Sequence, residues 1–332
     1  MINAAVVGYG HWGPVLHKSF QAHPLIHVSW VCEKSHKRLV SALAIYPALK
    51  VTDDYMDVLN DKEVSLVVIA TAVSTHYEIA VSALEARKHV FIEKPMTKNI
   101  EEAQSLITLS QKYGLKVFVD HIMVYSEGIA KVKGLIENGV LGDLYFLDFF
   151  RQNLGLYRED VNVLWDLASH DLAVLHYLTN ETVDFVSCTG AARLDGINYD
   201  MAHLSIKYKN GLIANINVSW LYPLKVRRLI VAGSKQMLVY DDSQLGAAIA
   251  LYGKGVQFIN NEQKKGYEYR DSKSFMIELE GILPLTREIE CIVDSILNNT
   301  AHIAGAHEGL EVVRLLEAAQ FSLQNSGSPV FI

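Results

Sequence analysis

The chain opens on an apolar, β-rich run, Ile2–Val7, that ends at Gly8. Apolar runs and helical spacings then alternate. A helix is expected from about His11 to Ala22, a strand over His27–Cys32 ending at Glu33, and a helix over Ser35–Ala44. Asp53 and Asp54 read as caps for a short helix through Leu59. Val64–Ala70 is apolar without alternation, the mark of a strand covered on both faces. Thr75 and Glu78 have capping-box spacing, with Ile79, Ala80, Ala83 and Leu84 at helical intervals behind them. After a strand at His89–Ile92, Asn99 and Glu102 make a second box, and the helix they open stops at Gly114. Lys116–Val119 is the last strand of the series. Strand–helix alternation of this kind predicts parallel βαβ units in a doubly wound sheet.

Beyond about Asp120–Met123 the rhythm changes. Ile129, Val132 and Ile136 predict a helix ended by Asn138-Gly139, followed by a strand at Leu144–Phe150 and a helix at Leu164–Leu178. Strands then succeed one another over 183–190, 201–208, 212–219, 226–232 and 236–241, with Lys209-Asn-Gly211 as a hairpin turn. Helices over about Arg287–Leu297 and Gly309–Leu323 close the chain. The expected architecture is a Rossmann domain over residues 1–121 and an α+β domain with a largely antiparallel open sheet over 122–332.

Composition sets the class. At roughly 150 residues per domain, 332 residues suit two domains. Half the residues are hydrophobic and a fifth charged, ordinary for a globular enzyme. The net charge of −7 argues against a nucleic-acid partner, which calls for a basic excess. Cys32, Cys188 and Cys291 are far apart and form no metal or redox spacing, so reduced thiols in a cytoplasmic protein are expected. The N-terminal run lacks the basic region of a signal peptide, and no apolar stretch approaches the ~20 residues that span a bilayer.

The first candidate chemistry is Gly8-Tyr9-Gly10-His11-Trp12-Gly13, a G-x-G-x-x-G stretch between an expected strand and an expected helix. Gly8 allows the tight turn, Gly10 lets the backbone approach a pyrophosphate, and Gly13 lets the helix pack on the sheet. Glu33, 20 residues after Gly13, closes the second strand, where a carboxylate holds ribose hydroxyls and repels a 2′-phosphate. NAD is the expected cofactor. Lys34, Lys37 and Arg38 soften that preference and leave NADP open.

Ala70-Thr71-Ala-Val-Ser74-Thr75-His76, followed by Glu93-Lys94-Pro95, is similar to the Gfo/Idh/MocA (glucose–fructose oxidoreductase/inositol dehydrogenase) family. Asp166-Leu-Ala-Ser-His170 resembles that family's D-x-x-x-H pair, although Ala168 departs from the usual glycine. Arg151 through Gly155, Asp160 through Asp166, Val218-Ser-Trp220 and Lys225-Val-Arg227 look like a branch acting on nucleotide-linked sugars. The resemblance implies an NAD(P)-dependent dehydrogenase that oxidises a secondary hydroxyl, at C3 of a sugar such as a UDP-N-acetylglucosamine derivative. It implies Lys94, His170 and Asp166 as catalytic groups. Thr71, His76, Glu93 and Lys94 join Gly8, Tyr9, Gly10, His11, Trp12, Gly13 and Glu33 as cofactor contacts. A cis Lys94–Pro95 peptide and a homodimer or homotetramer through the second-domain sheet are implied as well.

Elementary chemistry agrees with these roles without requiring them. Oxidising an alcohol needs a base, and an imidazole titrates near ~6.5; a lysine can stabilise a developing alkoxide. Asp166 and His170 at i,i+4 also suit a simple helix-stabilising pair or two metal ligands, but no third ligand pattern accompanies them, so no metal is expected. For a diphosphate-bearing substrate the candidate contacts are Arg151, Asn153, Arg158 and Trp165, with Lys225, Arg227 and Arg228 behind them. Alternatives are a free-sugar, sugar-phosphate or cyclitol dehydrogenase, a ketosugar reductase, and a non-catalytic NAD(H) sensor.

Overall fold

The computed structural model describes residues 1–155, 157–243, 248–260 and 265–332. The chain divides into two compact units, one of Met1–Tyr125 with Leu283–Arg314, the other of Ser126–Ile282 with Leu315–Ile332. This differs from the expected continuous division at residue 121, because residues 283–314 return to the first unit. No local signal marks that return.

The first unit is built on six parallel strands in the order β3-β2-β1-β4-β5-β6. They are β1 (Ile2–Val7), β2 (Ile26–Cys32), β3 (Lys50–Thr52), β4 (Leu66–Ile69), β5 (His89–Ile92) and β6 (Val117–Val119). This is the doubly wound nucleotide-binding order. All four residues of β4 are buried, which is why it reads as a solid apolar run. The edge strand β3 is only three residues long and carries no periodic signal. Helices cover the sheet: α1 (Gly13–Gln21), α2 (His36–Ile45), α3 (Tyr55–Asn60), α4 (Val73–Glu85) and α5 (Ile100–Tyr113). Leu16 and Phe20 of α1 share one core cluster with Phe91 and with Ile289, Ile292 and Val293 of α8 (Pro284–Asn298). Phe20 and Phe91 meet edge to face at 5.3 Å, and burying each ring contributes about 1.5–3 kcal/mol.

The capping signals divide. Asp54 accepts from Met56 N–H, and Asn99 accepts from Glu102 N–H, while Gly114 closes α5 at φ +65°. The expected box at Thr75 does not form. Helix α4 already begins at Val73 behind an extended Ala72, and the Thr75 hydroxyl bonds back to Ala72 O (2.9 Å) and Thr71 Oγ1 (2.8 Å). A hydroxyl one turn inside the helix satisfies itself locally and cannot cap.

The second unit carries a nine-stranded sheet, β14-β13-β12-β11-β7-β10-β9-β8-β15. Its strands are β7 (Leu144–Gln152), β8 (Val183–Ala191), β9 (Met201–Tyr208), β10 (Ile213–Ser219), β11 (Val226–Gly233), β12 (Met237–Asp241), β13 (Ala248–Asn260), β14 (Lys265–Glu278) and β15 (Val330–Phe331). Only the central β7–β10 pair is parallel; the other pairings are antiparallel. Gly211 at φ +95° turns β9 into β10, as the Asn-Gly pair predicts. The long β13–β14 pair escapes a hydrophobic-pattern reading because β14 is exposed along almost its whole length. Helix α6 (Glu127–Glu137) opens on Ser126, whose Oγ accepts from Ile129 N–H. The helix expected over 164–178 begins instead with one π-helical turn, Leu164–Ala168, before α7 (Ser169–Leu178). The last helix, α9 (Ala306–Gln324), contributes residues up to Arg314 to the first unit and the rest to the second.

Candidate active site

In the first unit the glycine stretch leaves β1 and enters α1 through contacts that fix its identity. Gly8 has φ +93°, and a Cβ there would lie 2.6 Å from Ala70 O and 2.8 Å from Thr71 Cγ2. A Cβ on Gly13 would lie 2.3 Å from Gly8 O. Both positions therefore exclude any side chain. Gly10 differs: a Cβ there meets nothing nearer than Arg38 Nη1 at 4.0 Å. Helix α1 has Trp12 as N-cap with no side-chain cap, no acidic residue in its first turn, and a proline at its start. Its first backbone N–H groups have no intrahelical acceptor, which with the helix dipole makes an anion site. Tyr9 is buried while His11 and Trp12 are exposed, so the loop backbone and the two rings behind it border open space.

Glu33 directly follows β2, beside this loop. Tyr9 N–H donates to its Oε2 at 2.7 Å, Ser35 N–H donates to Oε1 at 2.9 Å, and Arg38 Nη1 lies 3.5 Å from both oxygens. Burial raises the carboxyl's pKa, but the two N–H donors and the Arg38 charge together outweigh it and hold Glu33 below its ordinary value. Glu33 is thus a fixed carboxylate with lone pairs left for ribose hydroxyls. Open loop, uncapped helix start and fixed carboxylate all fit a dinucleotide.

The Thr71/His76 segment and Glu93-Lys94-Pro95 are tied together by one side chain. The buried His76 ring places Nδ1 3.1 Å from Pro95 O and Nε2 3.2 Å from Thr71 O. That staples the start of α4 to the turn after β5. Expected as a cofactor contact, His76 makes contacts that shape the loops. The Lys94–Pro95 peptide is cis. Lys94 is half-buried, and Thr71 stands partly exposed above the end of β4. Glu93, also expected as a cofactor contact, is buried, and its Oε1 is sealed from solvent.

In the second unit Asp166 lies in the π turn and His170 in the first turn of α7. The equal-face argument for i,i+4 assumes 3.6 residues per turn, and the wider π turn changes that offset. Asp166 is held from two sides. Trp220 Nε1–H donates to Oδ2 at 3.0 Å, and Arg158 Nη1 lies 3.5 Å from Oδ1. Arg158 also forks onto Asp160, with Nε and Nη2 donating at 3.0 and 2.7 Å. Tyr157 packs edge-on to Trp220 at 5.2 Å and donates its hydroxyl to Asp195. Asn153 sits where a Cβ on Gly155 would meet its Nδ2 at 3.0 Å. Trp165 is half-buried, with its backbone N–H donating to Asn162 Oδ1 at 3.2 Å. Trp220, named from sequence only within the Val218-Ser-Trp220 segment, is the indole that fixes Asp166.

Arg151, a candidate diphosphate contact from sequence, is buried against a carboxylate. Its Nε and Nη2 donate to both oxygens of Asp171 at 2.7–3.1 Å, and both side chains are buried. This bidentate fork locks β7 to α7. Arg228, by contrast, is about half exposed and meets Asp241 at 2.8 Å in a surface pair.

Fold and site together define an NAD-binding oxidoreductase with a Rossmann unit and a mixed-sheet unit. Two models of one family match the chain, the NAD-binding Rossmann fold of the oxidoreductase family over residues 2–121 and the GFO/IDH/MocA C-terminal domain over 129–239. The chain belongs to the Gfo/Idh/MocA family. It is 30% identical over 186 residues to inositol 2-dehydrogenase of Salmonella typhimurium, covering 54% of this chain and 55% of that one. Among solved structures it is similar to GenD2 from gentamicin A biosynthesis in complex with NAD (TM-score 0.84, 20% identity, 100% of this chain and 96% of that one). It is also similar to UDP-N-acetylglucosamine 3-dehydrogenase GnnA from Acidithiobacillus ferrooxidans (TM-score 0.80, 22% identity, 98% of both chains).

Two outcomes follow from this geometry. Asp171→Asn leaves the Arg151 guanidinium buried beside a neutral partner and is expected to cost about 3–5 kcal/mol in urea unfolding. A loss within ~0.5 kcal/mol would contradict the structural role of the pair. Glu33→Ser removes the carboxylate and frees Arg38, so the ratio of NADPH to NADH affinity, measured by fluorescence titration, should rise. An unchanged ratio would count against Glu33 as the ribose ligand.

Proposed function

We propose that the chain is a dehydrogenase that oxidises a secondary hydroxyl of a polyol, a sugar or cyclitol, with NAD as cofactor. The observation that carries this reading is the Asp166 carboxylate, fixed by Trp220 and Arg158 at the start of the helix bearing His170. The same chain contains an NAD-binding Rossmann unit. A fixed carboxylate and an indole are groups that bind hydroxyls, and an imidazole accepts a hydroxyl proton.

Each residue has a role in this scheme. The N–H groups of Gly10 through Gly13 take the pyrophosphate, and Glu33 takes the adenosine ribose. A nicotinamide cofactor, when bound, would supply the hydride acceptor. His170 removes the hydroxyl proton, Asp166 orients the polyol or the imidazole, and Lys94 donates a hydrogen bond to the oxygen as it gains charge.

An uncharged polyol is favoured over a nucleotide-linked sugar. A diphosphate needs cationic partners, and Arg151 is buried on Asp171. The 30% identity to an inositol 2-dehydrogenase points the same way. The nucleotide-sugar reading draws on the fold shared with GnnA and on Lys225 and Arg227, which flank the start of β11.

The test is a panel of inositols, free sugars and UDP- and dTDP-sugars, each with NAD and NADP, followed at the NADH absorbance. Turnover is expected with NAD and an uncharged polyol. With that substrate, His170→Ala should lower kcat by roughly 10²–10⁴-fold with NADH affinity unchanged, and Lys94→Met should lower kcat more than it raises KM. Turnover confined to nucleotide sugars would move the assignment to that branch. Cofactor binding with no turnover on any member would leave the sensor reading.

A further inference from the structure

Behind Lys94 the first unit buries three carboxyls. Glu93 follows β5, Asp120 follows β6, and Glu288 lies in the second turn of α8. Their exposures are 7%, 4% and 0%. Glu93 Oε1, Asp120 Oδ1 and both oxygens of Glu288 are sealed from solvent, and none of them accepts a bond from a fixed N–H or O–H donor. Ile92 and Val119 are register partners and Asp120 N–H donates to Ile92 O at 2.8 Å, so Glu93 and Asp120 leave neighbouring strand ends side by side, and α8, with Glu288, packs on the turn at Ile122–Tyr125 that follows Asp120. Asp120 interacts with both glutamates.

These observations conflict only if all three groups are ionised. A carboxylate is an acceptor and cannot bond to another carboxylate, whereas a protonated carboxyl donates. Three buried charges in contact would also carry an unrelieved desolvation cost and mutual repulsion. Among the described residues no group of three or more His, Cys, Asp or Glu is arranged to hold a metal ion. Protons are the species that satisfy the sealed oxygens.

We propose that Glu93 and Glu288 are protonated and donate to Asp120, so that the three carboxyls share one negative charge, and that Glu288 is thereby a positioning residue for Lys94. The central place of Asp120 fits, since it faces both Glu93 and Glu288. Burial, as the largest cause, pushes all three carboxyls up, Glu93 and Glu288 furthest. The groups facing the cluster are the Lys94 ammonium, the Tyr125 phenol, whose own pKa is raised by burial, and the Cys291 thiol. Glu308 acts on Tyr125, and His302 Nε2 bonds the Tyr125 hydroxyl at 3.0 Å. With one shared charge the cluster presents Lys94 with one counter-charge, and the donated bonds fix Glu93, the residue next to it. The positioning role rests on the proposed work of Lys94; the shared protons do not.

The experiment uses the full chain. Infrared difference spectra of wild type against E288Q at pH 7 should show a deuterium-sensitive C=O stretch of a protonated carboxyl that E288Q lacks. Absence of that band in the wild type would overturn the proposal. The stability readout has a fixed sign. A carboxyl whose folded pKa is raised confers stability that is full below its unfolded value and is lost as pH rises through the folded one. Wild type should therefore lose Tm relative to E288Q on going from pH 5 to 9; a parallel pair of curves would contradict the protonated state.

The kinetic arm separates positioning from packing. E288Q, whose amide still donates to Asp120, should keep most of kcat. E288L, which cannot donate, should lose roughly 10–100-fold in kcat with KM little changed. Equal losses in both variants would reduce Glu288 to a packing role. If wild type oxidises no polyol, the proposed function fails while the infrared and stability arms still decide the proton sharing.

Discussion

The constraint on which the first unit depends is the contact between the carboxyl ends of β1 and β4. Gly8, at a left-handed φ, lies so close to the Ala70 carbonyl and the Thr71 methyl that no side chain fits. That closeness brings three things to one place. The chain turns sharply enough for α1 to start with its N–H groups open. Tyr9 N–H reaches the Glu33 carboxylate, locking the loop to the end of β2. The segment after β4 lies where His76 can tie Thr71 to Pro95. Glycine loop, acidic strand end and Lys94 turn are thus one connected construction, made of backbone approaches that side-chain packing alone could not set.

The second unit uses a different principle. Its candidate groups are held by charge and indole contacts across elements. Arg151 forks onto Asp171 and sets α7 against β7, and Trp220 and Arg158 fix Asp166 in the π turn that precedes it. Burying the Arg151–Asp171 pair is justified by geometry, since the two-bond fork satisfies both charges in a site where either alone would be costly. The first unit offers open backbone N–H groups at the start of α1, suited to an anion; the second presents polar side chains of fixed orientation.

Much of this was legible in the sequence, and the reasons are physical. Strands covered on both faces must be apolar without alternation, so β1, β4 and β5 stood out. Gly8, Gly10, Gly13 and Glu33 were legible because their spacing follows from one βαβ unit. What escaped has no local period. The Arg151–Asp171 fork joins a strand to a helix, and a sequence shows the charges but not the pairing, so Arg151 read as a free phosphate ligand. Trp220 escaped because its partner lies one helix and three strands away along the chain. Glu288 belongs to a segment that returns to the first unit after eight strands of the second sheet, and nothing near it announces that. The π turn at Leu164–Ala168 is invisible to a reading that assumes 3.6 residues per turn. Thr75 misled because a capping box and an internal hydroxyl share one residue pattern.

The central claim, that the loop after β1 is a dinucleotide cradle, is tested most directly at Gly10. A Cβ there meets only open space within the protein, so Gly10→Ala should fold with an unchanged Tm. The same methyl would stand where the pyrophosphate must approach. The account predicts that NADH affinity, measured by calorimetric titration, falls by roughly tenfold or more, about 1.4 kcal/mol. Wild-type NADH affinity in a fully folded Gly10→Ala protein would contradict it.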